Sequence, residues 1–262
     1  MKKTLGQIGI LMLMASSLSF AEGKDITVAV NANFISLDPH NLSDTLSGTA
    51  VSTMYEGLFT YNDDMTLRPT LATGYTISED GLVYTIPIRQ GINFQDGTPL
   101  NAAAVKYNFD RVMDEKNNLR RRRNFVAVDK VEISGEYEIK LILKQPFAPM
   151  LNRIASLKIV SPAALEKHGA QGIITNPVGT GAYTYVNWTQ GDKLVVKRND
   201  EYWGEKPNVD TITFRPVMEN GSRIAMLQTG EADFIYPMPT EQVKKLEKSD
   251  DVEIMKGFST IT

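Results

Sequence analysis

Residues 177–234 read PVGTGAYTYVNWTQGDKLVVKRNDEYWGEKPNVDTITFRPVMENGSRIAMLQTGEADF, and this stretch decides the fold. The Gly-rich turn Gly179-Thr180-Gly181 leads into a strand near Tyr183–Val186. A second strand follows at Leu194–Lys197, then the aromatic turn Tyr202-Trp203-Gly204, then a third strand at Thr211–Arg215. Asn220 to Gly230 reads as a short helix with Gly at its C-terminal end, where a left-handed residue closes the last turn. Gly179-Thr180-Gly181 resembles the start of a dinucleotide fingerprint, but a third Gly is missing and a strand follows, so tight-turn geometry is the expected reason for these glycines.

Outward from this block, Ile26–Val30 is a short apolar run suited to a buried strand. Pro39 biases Asp38 away from helix, and Ser43 is placed to cap a helix whose face is Leu46, Ala50, Met54 and Leu58, with Val51 and Tyr55 beside them. Leu82–Ile88 is a strand in which Pro87 predicts an edge or a bulge. Asn101 caps the next helix, with Leu100 set to staple onto Val105 and Phe109, Val112 and Met113 continuing its apolar face. Tyr137, Ile139, Leu141 and Leu143 alternate as a half-buried strand. Ser161-Pro162 starts a helix that Gly169 stops near His168. Phe234–Tyr236 and Val252–Met255 read as strands, with a helix between them that Thr240 caps and that carries Val243 and Leu246. Strands and helices mix without strict alternation, so the class is mixed α/β.

The N-terminus reads as a cleavable secretory signal over residues 1–21: Lys2 and Lys3, the apolar run Ile8–Leu13, and Ser19-Phe20-Ala21 before the cut. That run is too short to span a bilayer as a helix, and no Cys follows it for a lipid anchor. A soluble, exported, periplasmic protein is therefore expected. Cysteine is absent, so a buried core and not disulfides must hold the fold. Removing the signal leaves about 240 residues, enough for one large domain or two small ones. The hydrophobic content of 42% fits a globular chain, and a net charge of −3 argues against a general nucleic-acid binder.

In order and spacing, four further segments stand beside the opening block: Leu37-Asp38-Pro39 with 54–59 (MYEGLF), 80–86 (DGLVYTI), 91–102 (GINFQDGTPLNA), and 143–147 (LKQPF) with 161–169 (SPAALEKHG). Together they resemble the peptide- and nickel-binding family, family 5, of periplasmic solute-binding proteins that serve ABC importers. The last pair is most similar to its glutathione-binding branch. The resemblance implies a two-lobed clamshell in which residues 25–42 and 178–258 form the core of lobe I, a mixed sheet with flanking helices. Residues 43–177 would form an inserted α+β subdomain. Family members are roughly twice this length, so lobe II and the returning end of lobe I are expected to be missing from this sequence. It also implies a monomer that captures a small peptide, glutathione first and other short peptides second, and hands it to an inner-membrane ABC permease. No cofactor and no metal are implied. Since relatives take the charged ends of their ligand largely on lobe II, the 262-residue chain alone is expected to bind weakly: an ion pair left in water is worth about 0–1 kcal/mol.

Candidate ligand residues are Asn33 and Phe34, which follow the first strand, with Ile35 next to them, and Arg121 and Arg122 within the run Arg120–Arg123. Segments beyond the carboxyl ends of such strands often line clefts, though an ordinary strand exit gives the same pattern. The arginine run is either a carboxylate clamp, since guanidinium pairs carboxylate in bidentate fashion, or a solvated helix end. The resemblance places Arg121 at a basic residue of the glutathione-binding branch. Trp188 and Trp203 are expected to pack in the core more than to line a pocket, and Asp63-Asp64 to form a solvated turn. No enzyme is expected: His40 and His168 are the only histidines, far apart in sequence, and no nucleophile, phosphate-loop or metalloprotease motif is present. The competing classes are a hydrolase without a recognisable motif and an interaction or chaperone-like protein.

Overall fold

The computed structural model describes residues 24–42, 44–247 and 252–254. The expected signal peptide, residues 1–21, and the expected helix cap Ser43 lie outside the described residues. Strand β1 (Lys24–Val30) runs parallel to β10 (Val209–Pro216) on one side and to β11 (Phe234–Tyr236) on the other. Strands β9 (Lys193–Arg198) and β8 (Tyr183–Thr189) add on antiparallel, giving the order β11-β1-β10-β9-β8. Alternation along β1 sends Ile26, Val28 and Val30 to one face and Ala29 to the other. The first face is covered by α1 (Thr45–Met54) and α4 (Pro162–Gly172), the second by α5 (Asn220–Thr229), whose Met226 packs with Ala29. A strand packed on both faces explains the run Ile26–Val30, apolar but for Thr27.

A second, antiparallel sheet has the order β4-β5-β7-β6, from Thr76–Ile77, Val83–Pro87, Glu138–Leu143 and Val128–Gly135. Ile139, Leu141 and Leu143 bury their face against α2 (Ala102–Met113), which presents Val105, Phe109 and Val112. Asn101 caps α2 by accepting from the Ala104 N–H at 3.0 Å, and Leu100 and Val105 share the same core, as the sequence predicts. Pro87 is the last residue of β5, past the two-residue pairing with β4. The strand β6 escaped the sequence reading because two register shifts break its alternation. The small pair β2 (Phe59–Tyr61) and β3 (Leu67–Pro69) carries the Asp63-Asp64 turn, which is exposed, with Asp64 accepting from Thr66.

Three expectations change. Helix α1 is capped by Asp44, whose Oδ1 accepts from Ser47 N–H at 2.7 Å, and it ends at Met54 and not near Leu58. Tyr55 is already extended, and Leu58 falls into the core of the second sheet, away from Leu46, Ala50 and Met54. Residues 252–254, expected as strand, have no paired partner among the described residues, and Met255 lies outside them. The glycines of the 177–181 turn are needed for contact and not for tight-turn dihedrals: neither Gly179 nor Gly181 has a positive φ.

That contact is the seam between the two cores. A Cβ on Gly179 would sit 2.3 Å from the Met54 carbonyl oxygen, and one on Gly181 would sit 2.5 Å from the Thr53 carbonyl oxygen. Gln95 bridges the seam, its Nε2 donating to the carbonyls of Met54, Gly181 and Tyr183 and its Oε1 accepting from Gly179 N–H. Glu56 closes it from the other side, accepting from Thr180 Oγ1 at 2.9 Å, Tyr202 O–H at 2.8 Å and Trp203 Nε1 at 2.8 Å. Trp203 and Trp188 pack against the two cores, and the Arg89 guanidinium lies 5.2 Å over the Trp203 ring. Helices α1 and α4, both inside residues 43–177, pack on the five-stranded sheet, so the two cores meet within that stretch. Gly179→Ala is expected to lose about 3 kcal/mol of stability in denaturant melts, because backbone and not a flexible side chain blocks the new methyl. A wild-type midpoint in that variant would show that the seam opens freely.

Candidate ligand-binding site

The three parallel strands β10, β1 and β11 point their carboxyl ends the same way. Open α/β sheets offer ligands the space beyond such ends. Ile35, Met218 and Tyr236 stand there with 56%, 65% and 43% of their surface exposed. The exit of β1, residues 31–42, is tied down along its length. Ser47 Oγ accepts from Ile35 N–H at 3.2 Å, Ser36 Oγ from Asp38 N–H at 3.0 Å, and the Ile174 carbonyl from Leu37 N–H at 3.2 Å.

At the end of this segment Asp38 and His40 form a buried network with Arg111 of α2. The Arg111 guanidinium donates through Nη1 and Nη2 to the two carboxylate oxygens of Asp38, at 3.0 and 2.8 Å. The same Nη1 lies 2.7 Å from His40 Nδ1. Arginine can only donate, so Nδ1 must accept, and the proton of the neutral ring sits on Nε2, which donates to the Lys158 carbonyl at 2.8 Å. Burial opposes charging His40, and the Arg111 cation opposes it further; against the Asp38 charge, the outcome is a pKa pushed down to about 4. Burial also opposes the Asp38 charge, but the Arg111 hydrogen bond and neighbouring positive charge outweigh it and hold that carboxyl below its ordinary value.

The candidate residues divide. Phe34 points inward: its ring is buried and meets Phe214 edge-on at 5.8 Å, anchoring the segment. Asn33 beside it keeps a buried Oδ1 with no hydrogen-bond partner. The arginines fall in a 3₁₀ turn, Arg120–Asn124. Arg120 and Arg123 are exposed, and Arg122 pairs with Glu115 and donates to the Met113 carbonyl. Two backbone N–H groups tie the turn to the β1 exit, that of Arg121 donating to the His40 carbonyl at 3.2 Å and that of Arg120 to Asn41 Oδ1 at 3.4 Å, and Arg121 keeps a buried Nε with no partner. Burial, with Arg123 nearby, lowers its pKa. Sequence reasoning missed the roles of Asp38, His40, Arg111 and Lys158, which are joined only by contacts distant in the chain. The one available signal was a buried-looking Leu-Asp-Pro-His at a strand exit.

A mixed sheet with its parallel strand ends open, flanked by a second α+β layer, has the architecture of a lobe of the periplasmic binding proteins. Known proteins agree. The sequence pattern described as bacterial extracellular solute-binding proteins, family 5 Middle, matches residues 66–261. The chain is 45% identical over 255 residues to the glutathione-binding protein GsiB of Shigella dysenteriae serotype 1 and to that of Escherichia coli K12, covering 96% of this chain and 49% of each relative. Among solved structures, it matches DppA, an ABC transporter-associated periplasmic binding protein from Helicobacter pylori in complex with the peptide STSA. The TM-score is 0.78 at 28% identity, over 87% of this chain and 49% of that one. It also matches AgaA from A. tumefaciens R10 in complex with agropinic acid, with a TM-score of 0.81 at 28% identity, over 86% and 46% of the two chains. The chain belongs to family 5 of the bacterial extracellular solute-binding proteins. It spans about half the length of the curated relatives it matches. Among the described residues no helix is long and apolar enough to cross a membrane.

The buried network has a pH signature. His40 titrates near 6.5 when unfolded and near 4 when folded, so between these values the unfolded chain binds a proton that the fold refuses. Stability is therefore full above pH 6.5 and falls as pH drops through that window, by on the order of 3 kcal/mol. Asp38, with a lowered pKa, loses its contribution only below the ordinary carboxylate value of 3.8. Denaturant melts from pH 6.5 to 4 should show this slope, flattened in His40→Gln. An equal slope in both proteins would remove His40 as its source.

Proposed function

We propose that this chain forms the solute-capturing lobe of a periplasmic receptor for an ABC importer, with glutathione or another short peptide as the solute. Two of the five buried side-chain atoms left without a partner among the described residues support this reading most directly, one on the β1 exit and one on the 3₁₀ turn bonded to it: Asn33 Oδ1 lacks a donor and Arg121 Nε lacks an acceptor. A buried polar atom without a partner costs about 1–3 kcal/mol, and a peptide offers both missing partners, an N–H and a carboxylate. Capture is noncovalent. Asn33 accepts from a peptide N–H, and Arg121 receives a carboxylate side-on. Phe34 and the Arg122–Glu115 pair fix the segments that carry them. Closure against a second lobe removes water and strengthens both contacts. The solute then passes to a membrane permease, with no bond made or broken by the receptor. In this reading the expected 1–21 signal exports the chain and capture happens in the periplasm.

Titration with glutathione, followed by NMR of the Asn33 and Arg121 side chains, should move both signals. Arg121→Met should weaken binding about tenfold, equal to about 1.4 kcal/mol. Spectra unchanged at millimolar glutathione and at millimolar tripeptide would overturn the reading.

A further inference from the structure

The turn that joins β10 to α5 is held by a buried cation. Arg223, in the first turn of α5 and only 1% exposed, donates through Nη1 to the carbonyls of Val217 and Met218 at 2.7 and 3.1 Å. Through Nη2 it donates to Asn220 Oδ1 at 2.5 Å. From the other side the Val217 N–H donates to the Val30 carbonyl at 2.7 Å, and Val217 packs with Ala29 and Met226. Glu219 then caps α5, accepting from the Ser222 N–H at 2.7 Å. The backbone on both sides of Met218 is thus fixed, yet its side chain is 65% exposed, the most open of the large apolar side chains among the described residues.

The arrangement is costly. All three oxygens that Arg223 donates to are neutral, its Nε is buried without a partner, and the start of a helix disfavours a cation. An apolar side chain would fill the same space without these costs. What the guanidinium alone supplies is its fork, which reaches two successive carbonyls and a side-chain amide at once. The residue so fixed lies beyond the carboxyl end of β10, at the same end of the sheet as Asn33. We propose that Arg223 is a positioning residue for solute capture: it locks the β10–α5 turn so that Met218 offers an apolar contact at the open strand ends, and the lobe favours solutes with an apolar side chain. A thioether on a fixed backbone suits this task, because the flexible side chain adapts while its base stays in place. This rests on the receptor reading, since it names the part of the solute that the lobe selects.

The test uses the 262-residue chain with isotope-labelled methionine methyl groups, and glutathione, Ala-Leu-Ala and Ala-Ser-Ala as probes. Ala-Leu-Ala should move the Met218 methyl signal, which is identified by its loss in Met218→Ala. That variant should bind Ala-Leu-Ala about fivefold more weakly and Ala-Ser-Ala within about twofold of the wild type. Arg223→Lys keeps the charge but not the fork. It should weaken Ala-Leu-Ala by the same factor, with no further loss when Met218 is already Ala. Asn220→Ala, at an exposed position, frees one arm of the clamp and should show a smaller loss of the same kind, so the outcome is decided even where Arg223→Lys does not fold. A lowered melting temperature with wild-type affinity in the Arg223 and Asn220 variants would leave Arg223 a purely structural residue and overturn the inference. An equal loss with and without Met218 does the same. Probes that bind while the Met218 signal stays still would sink the inference and spare the receptor reading. Spectra in which none of the three probes moves any signal at millimolar concentration would sink both.

Discussion

The backbone of Gly179–Gly181 lies against the last turn of α1, and the other placements in the molecule follow from that contact. It is closer than any side chain permits. With the turn pressed onto Met54, the chain leaves α1 extended through Glu56 and Gly57, which aligns Gly57 with Lys158. Lys158 presents its carbonyl to His40, and His40 presents its own to Arg121. One steric constraint therefore passes through a backbone bridge, the His40 ring and one backbone hydrogen bond from the join of the two cores to the candidate site. Gln95 and Glu56 make the constraint tolerable, because they satisfy the polar atoms that so close an approach would strip of water.

The site shows an uneven distribution of polar satisfaction. Asp38, Arg111, Glu56 and the ring of His40 have partners for their charges and hydrogens, and they sit where a shift would move both sheets. Asn33 and Arg121 keep buried atoms unanswered, on segments that the first group immobilises. A preorganised receptor needs this division. Groups that position must be saturated by the protein, whereas groups that bind must be left for the ligand. The low pKa of His40 belongs to the positioning set and says nothing of proton transfer to a solute.

What could be read in the sequence was local. Asn101, Ser161 and Gly230 terminate helices where their chemistry says they should, and Ile139, Leu141 and Leu143 alternate into the core. The family resemblance, and with it the fold, was carried by turns and their spacing. Local reading failed where distant chain decided the outcome. Leu58 kept the four-residue period of α1, but pairing of Gly57 with Lys158 pulled it into another core. The sequence put Arg121 and Arg122 side by side as candidates, and only tertiary structure separates Arg122, paired with Glu115, from Arg121, whose buried Nε has no partner. Lys158 sits in an unremarkable run, and no pattern near it hints at His40.

The pairing of the inner strand β1 has a temporal consequence. Lys24 pairs with Val209 and Val28 with Phe234, so the strand made first waits for partners made near the end of the described chain. Such non-local parallel pairing closes slowly, after a large loop has been ordered. The smaller antiparallel sheet, with nearer partners, can assemble while β1 is still unpaired. A nascent chain of this design keeps its N-terminal strand open on both edges until residues 209–236 have been made.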